Sequence, residues 1–231
     1  MKFAHKVFHV DSDSERDWFV KNINIYLSKY SKELDTPTIQ IRSVEDLASY
    51  YQHNKDFNID PNGYSLHGQQ GWKLGELGIW ASNYTAWKNF LKTDSEYLIL
   101  MEDDIVFNED FFPLLEQYLS ELPDSWDFFS FFSPEDQYHK YNIAKSYGEN
   151  TAMLYQDWSC LCYVISRKGA EKFLLLMSSG VSLPLDWFFY RQTQKFYGYS
   201  VKPEARKGCT LAAIESTFQT KHERQIINGI F

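Results

Sequence analysis

The stretch Tyr97-Leu-Ile-Leu-Met101 is apolar without interruption and runs directly into Glu102, Asp103 and Asp104. An unbroken apolar run of this length, with no alternation, is the pattern of a strand covered on both faces. Such a strand demands layers of structure on either side of a sheet, which restricts the chain to an α/β architecture. The acids at its end then fall at the carboxyl edge, where open α/β sheets bind ligands. Alternation of side chains sends Glu102 and Asp104 to one side and Asp103 to the other.

The rest of the chain is consistent with that core strand. Phe3 to Val10 reads as a strand, and Ser12 with Glu15 forms a capping-box pattern that opens a helix carrying Trp18, Phe19, Ile23, Tyr26, Leu27 and Tyr30. Thr38 to Ile41 reads as a second short strand, and Ser43 caps a helix to about Asn54. Residues 55–71 are polar and turn-rich, a long loop of the kind that often carries function. Leu74, Leu77, Trp80, Tyr84, Trp87 and Leu91 recur at helical spacing over 73–92. Further helices are expected at 111–120, at 167–177 after Ser166, and from Trp187 to about Phe196. Further strands are expected at 127–132, 161–165 and 199–201. Residues 133–153 read as irregular. Strand–helix alternation of this kind predicts a mostly parallel central sheet flanked by helices. No linker or repeat divides the chain, so residues 1–231 are expected to form a single domain.

Composition excludes several classes of partner. The formal net charge of -8 disfavours nucleic acid and anionic membrane surfaces. A phosphate-bearing ligand must therefore be held locally, by a metal, by main-chain N–H groups or by a few placed cations. No apolar run approaches the roughly 20 residues of a transmembrane helix. No signal peptide is visible, so the chain as given predicts a cytoplasmic protein. Cys160, Cys162 and Cys209 are an odd set, and Cys-x-Cys on a strand points both side chains into a core. All three read as reduced and structural. The many aromatic residues, 18% of the chain, fill a core, with some rings free to line a sugar site.

Two carboxylates at a sheet edge suit a hard divalent cation such as Mg²⁺ or Mn²⁺, with substrate phosphates completing its shell. An acidic triplet can equally be a solvated turn. Here the residues resemble a known family. Gly75-Glu-Leu-Gly78, Ser82, Trp87 and the run from Tyr97 to Asp104 are similar to glycosyltransferase family 25, whose pattern is Gly-Glu-Ile-Gly, a Ser-His pair and an apolar strand ending Glu-Asp-Asp. The opening strand from Val7 to Arg16, Cys162-Tyr-Val-Ile-Ser166-x-x-Gly-Ala170 and Pro184-Leu-Asp186 agree in order and rough spacing. Asn83 stands where the family has His.

The resemblance implies a GT-A-type fold, a nucleotide-sugar donor (often a UDP-hexose, with galactose the usual sugar) and inversion at the anomeric carbon. It implies Asp104 as a metal ligand and Glu102 as a second ligand or ribose contact, with Asp103 and Ser82 on the donor. Val10, Asp11 and Arg16 are expected to cradle the nucleotide. Arg16 also reads as a plain helix charge. Glu76 is expected to bond donor or loop groups, although an acid in a first helical turn is favoured by the helix dipole alone. Asp186 is the candidate base, with helix capping as its structural reading; Asp157 is the runner-up base. His222 is a candidate C-terminal ligand. The function implied is metal-dependent transfer of a hexose from a UDP-sugar to an acceptor hydroxyl on a glycan or glycoconjugate. Two other classes remain open: a metal-dependent phosphohydrolase using the same acids, and a non-catalytic carbohydrate-binding protein on the same fold.

Overall fold

A computed structural model describes residues 1–9, 14–64, 69–103, 105–131, 145–154, 160–192, 194–202, 205 and 209–211. In chain order the elements are β1 (Phe3–Phe8), α1 (Ser14–Leu27), β2 (Ser31–Glu33), α2 (Val44–His53), α3 (Leu74–Phe90), β3 (Tyr97–Glu102), β4 (Ile105–Phe107), α4 (Phe111–Ser120), β5 (Phe128–Ser130), β6 (Thr151–Met153), β7 (Cys162–Ser166), α5 (Arg167–Ser178), α6 (Leu185–Gln192), β8 (Gly198–Val201) and β9 (Cys209–Leu211). Among the described residues they form a seven-stranded sheet, ordered β2-β1-β3-β7-β5-β8-β6, and a two-stranded sheet of β4 and β9.

β3 lies near the middle of the large sheet, and Leu98, Ile99, Leu100 and Met101 are all fully buried. Each such side chain contributes about 1.5–3 kcal/mol relative to an exposed one. Alternation divides them between two cores. Leu98 and Leu100 join Tyr163 and Ile165 of β7 under α3, α5 and α6, through Trp80, Trp87, Phe173 and Phe189. Ile99 and Met101 join Cys162 and Val164 under α1 and α4, through Ile23, Leu27, Phe111 and Leu115. Helices therefore cover both faces, as the unbroken apolar run requires.

The sheet is mixed rather than mostly parallel. β1 runs parallel to β2 and β3, and β5 parallel to β8, but β7 is antiparallel to both β3 and β5 and β6 is antiparallel to β8. Hydrophobic pattern reports which faces of a strand are buried and carries no information about its direction. The strand beside β1 is also not Thr38–Ile41. It is Ser31–Glu33, in register from Phe3↔Ser31 to His5↔Glu33. Thr38–Ile41 instead lies as an extended segment over α3, where Ser82 Oγ accepts from Ile39 N at 2.8 Å. The Thr-Ile pattern marks a half-buried extended chain, and a side chain replaces a neighbouring strand as its partner. β6 lies inside a stretch that the sequence reads as irregular.

Caps fall where the residues predict them. Ser43 and Asp46 form a reciprocal capping box on α2, and Ser166 Oγ accepts from Gly169 N at 3.1 Å at the start of α5. The capping pattern of Ser12 lies outside the described residues. Cys162 is buried in β7, and half-buried Cys160 lies just before it; neither forms a disulfide.

Gly169 is needed for contact rather than for conformation. A Cβ there would lie 2.1 Å from the Asp127 carbonyl oxygen, a backbone atom that cannot swing aside. That carbonyl also accepts from Ser166 N at 3.0 Å. Gly169→Ala should lower stability by about 1–3 kcal/mol in urea unfolding, although alanine is the better helix former by about 1 kcal/mol. Equal or greater stability of the variant would show that α5 and β5 do not pack this closely.

Candidate active site

The acidic run leaves the sheet beside the end of β1, because β1 and β3 pair in parallel with Phe8 opposite Glu102. The next residue on each chain, His9 and Asp103, is drawn together. His9 Nδ1 lies 2.8 Å from Asp103 Oδ2. Arg16 Nη1, from the first turns of α1, donates to Asp103 Oδ1. His9 Nε2 lies 2.7 Å from Asp17 Oδ1. The network runs from interior to surface. The side chains of Arg16, Asp103 and His9 are 6%, 9% and 11% exposed, whereas that of Asp17 is 59% exposed.

Burial of this kind disfavours protonation of His9. The hydrogen bonds and charges of Asp103 and Asp17 outweigh it and raise the imidazole pKa above the ordinary value. The contrast with His5, inside β1, is chemical. His5 is fully buried, its Nδ1 faces Ser31 Oγ at 2.8 Å, and burial followed by the charge of Lys6 pushes its pKa down to about 4.

Glu102 projects to the opposite side, toward the α3 face. Its charge, after burial and Cys160, helps to raise the Tyr163 phenol well above its ordinary value. Tyr163 O–H donates to Asn83 Oδ1, Trp87 Nε1 donates to Tyr163 OH at 3.1 Å, and Asn83 Nδ2 donates to Ile79 O at 2.8 Å. Asn83 is therefore a buried bridge from α3 to β7. Ser82 beside it is buried as well, with its hydroxyl spanning the main chain of Ile39. Gly78, one helical turn earlier, lets the Ile39 carbonyl approach to 3.0 Å from where a Cβ would stand. Much of the Gly-Glu-Leu-Gly and Ser pattern thus docks the extended 36–42 segment onto α3.

A second group forms at the starts of α3 and α6. Glu76 Oε2 accepts from Lys73 N at 3.0 Å, closing the first turn of α3. Asp186 lies inside the first turn of α6, one residue after its start at Leu185, and its Oδ1 accepts from Trp187 N at 2.9 Å. The expected helix start at Trp187 is therefore two residues late, because Leu185 and Asp186 already join the helix after Pro184. Trp80 Nε1 fixes the approach to α6 by donating to Leu183 O at 2.9 Å. The long polar loop supports the same segment, through Asp60 N to Val181 O at 2.8 Å and Tyr64 N to Ser182 O at 2.6 Å. Burial raises the Asp186 carboxyl to about 6, with the neighbouring charge of Glu76 adding to the rise and the Trp187 N–H opposing it.

The residues named from sequence thus fall into two groups: Arg16, Glu102 and Asp103 at the ends of β1 and β3, and Glu76 and Asp186 at the helix starts. Val10, Asp11, Asp104, Asp157 and His222 lie outside the described residues. Among the described residues no three of His, Cys, Asp and Glu cluster as a complete cation cage. Divalent ions that work on phosphates are commonly held by one or two carboxylates plus the substrate. Glu102, with Asp104 two residues on in sequence, fits that donor type, whereas both oxygens of Asp103 already accept hydrogen bonds from protein groups. His9 was not singled out from sequence. The available signal was its place at the end of the first strand, opposite the acids once β1 and β3 pair in parallel.

A model of the family described as "Glycosyltransferase family 25 (LPS biosynthesis protein)" matches residues 28–189. The match takes in Glu76, Ser82, Glu102, Asp103 and Asp186. Among curated proteins, the human "Procollagen galactosyltransferase 2" is 24% identical over 164 residues, which is 69% of this chain and 26% of that protein. The bovine "Probable inactive glycosyltransferase 25 family member 3" is 27% identical over 117 residues, which is 49% of this chain and 20% of that protein. The chain therefore spans about a fifth to a quarter of the length of these curated relatives. No described helix is long and apolar enough to cross a membrane.

The raised Asp186 carboxyl has a consequence for stability. The folded state holds this proton up to pH about 6, whereas an ordinary aspartate releases it near 3.8. Between those values the native state binds more protons, so Asp186 makes stability fall as pH rises. The cost approaches at most about 3 kcal/mol at neutral pH. Urea unfolding at pH 4 and pH 7 should show Asp186→Asn gaining stability relative to the parent as pH increases. A difference independent of pH would rule out the raised carboxyl.

Proposed function

This chain belongs to glycosyltransferase family 25, and on that premise we propose that it transfers a hexose from a UDP-sugar to an acceptor hydroxyl of a glycan or glycoconjugate. The observation that carries the reading is Asp186. It is a partly buried carboxylate with a pKa raised to about 6, inside the matched segment and at a helix start rather than in the core. A base with that pKa is ionised at neutral pH yet basic enough to accept the acceptor's hydroxyl proton as the new glycosidic bond forms.

In this reading the acids at the end of β3 and the carboxylate at the start of α6 divide the work. Glu102 and Asp104 would hold a divalent cation, Mn²⁺ or Mg²⁺, together with the diphosphate of the donor. When bound, that ion neutralises charge on the departing nucleoside diphosphate. Asp103 and Arg16 brace the same edge, and Val10 and Asp11 would meet the nucleotide. Glu76 keeps negative charge beside Asp186 and so sustains its basicity. Attack on the face opposite the leaving group inverts the anomeric carbon, and the fold in this reading is of the GT-A type. Galactose is the favoured sugar, since the human relative is named as a galactosyltransferase.

A second reading is a sugar-binding chain without turnover, favoured by the name of the bovine relative. The two differ in their requirement for nucleotide and metal. UDP at a hundred times its Kd should raise the melting temperature by on the order of 5 °C with Mn²⁺ and by much less with EDTA. Release of UDP from UDP-galactose should accompany transfer. Asp104→Ala should abolish turnover in a folded protein, and Asp186→Asn should keep UDP binding while losing turnover by about 100-fold or more. No metal-dependent response to UDP would leave the non-catalytic reading. Full activity in either variant would remove that residue from the mechanism.

A further inference from the structure

We propose that His9 is a positioning residue for this site: with Arg16 it grips Asp103 by both carboxylate oxygens and sets the path of the acidic run as it leaves β3. The inference rests on the glycosyltransferase reading only for what the acidic run binds; the clamp itself is geometric.

Both sides of the clamp are built. Arg16 Nη1 reaches Asp103 Oδ1 from α1, and His9 Nδ1 reaches Asp103 Oδ2 at 2.8 Å from the end of β1. The back of His9 is secured by its own main chain, whose N–H donates to Thr38 Oγ1 at 3.2 Å. Thr38 is held in turn through Ile39, which Ser82 binds at 2.8 Å and on which Gly78 closes. A continuous line of contacts therefore leads from α3 through the 36–42 segment and His9 to Asp103.

The ring of His9 meets a carboxylate at each nitrogen, Asp103 at Nδ1 and Asp17 at Nε2. Ionised carboxylates only accept hydrogen bonds, so both nitrogens must donate and the ring is an imidazolium. Asp103 and Asp17 are then balanced by Arg16 and His9, leaving the network without net charge. A buried carboxylate tolerates its position only when compensated in this way. A residue without a donor at position 9 would leave one oxygen of Asp103 without this partner, and a neutral donor would leave the charge of Asp17 or Asp103 unbalanced.

The test uses the full chain. In ¹H–¹⁵N spectra at pH 7, both ring nitrogens of His9 should carry hydrogens; a ring with one bare nitrogen would overturn the clamp. His9→Gln keeps a donor for one carboxylate only. It should weaken Mn²⁺–UDP binding by calorimetry, or lower kcat, by about 10–100-fold, the range for residues that orient ligating groups. KM for the acceptor should change little. His9→Gly should regain part of the loss with added imidazole. Lower thermal stability with Mn²⁺–UDP affinity and kcat unchanged in folded protein would mean that His9 is structural only, and would overturn the proposal. If His9→Gln does not fold, Asp17→Asn, at the exposed end, should show a smaller loss in the same direction; an unchanged Asp17→Asn would count against the clamp. Failure of the parent protein to bind UDP with any divalent ion would sink the glycosyltransferase reading alone, and the ring-nitrogen spectrum would still decide the clamp.

Discussion

The carboxylate of Asp103 is the constraint around which the site edge is arranged. It is almost entirely withdrawn from water, and a charge in that position must be met by opposite charge and by hydrogen bonds. Arg16 and His9 meet it from different elements, and Asp17 compensates His9 in turn. The end of β1 and the start of α1 are therefore tied at one point to the end of β3, which is distant from both in sequence. That point lies at the carboxyl edge of parallel β1 and β3, where open sheets with helical crossovers leave room for ligands.

The two faces of the sheet contribute differently to that edge. The α1 face receives Asp103 and closes on it. The α3 face receives Glu102 and stands on a buried set of polar groups, Tyr163, Asn83 and Trp87, that bond one another. Burying a phenol and an amide side by side is tolerable because each finds a partner. This set joins α3 to β7, so the helix that carries Glu76 is fixed to the strand antiparallel to β3. Gly78 and Ser82 add a second connection, from α3 to the segment that backs His9. Residues that resemble a binding motif thus act in part as structural supports, and the acids depend on them at one remove.

Asp186 shows the opposite use of burial. Desolvation together with the charge of Glu76 pushes its proton affinity upward. One carboxylate is thereby gripped by hydrogen bonds from its neighbours and another is made basic by its surroundings, within one fold. That separation is the physical ground for giving them different chemical roles in a member of family 25. The segment bearing Asp186 is rigid because Trp80 and the loop around Asp60 and Tyr64 hold the residues immediately before it.

The sequence by itself pointed to the layered α/β class, since an apolar run from Tyr97 to Met101 among alternating helical and strand patterns reads as a strand covered on both faces. It also determined the sides on which Glu102 and Asp103 emerge, because alternation is a covalent property of an extended chain. Capping by Ser43 and Ser166 was equally legible, being decided within four residues. Tertiary structure alone decided the direction of β7, the replacement of the Thr38–Ile41 strand by Ser31–Glu33, and the partnership of His9 with Asp103. Those depend on which segments meet, and residues 94 positions apart carry no local signal of each other. The basicity of Asp186 belongs to the same class. Its raised proton affinity comes from burial and from the approach of Glu76, which the packing of α3 near α6 sets and no local pattern announces.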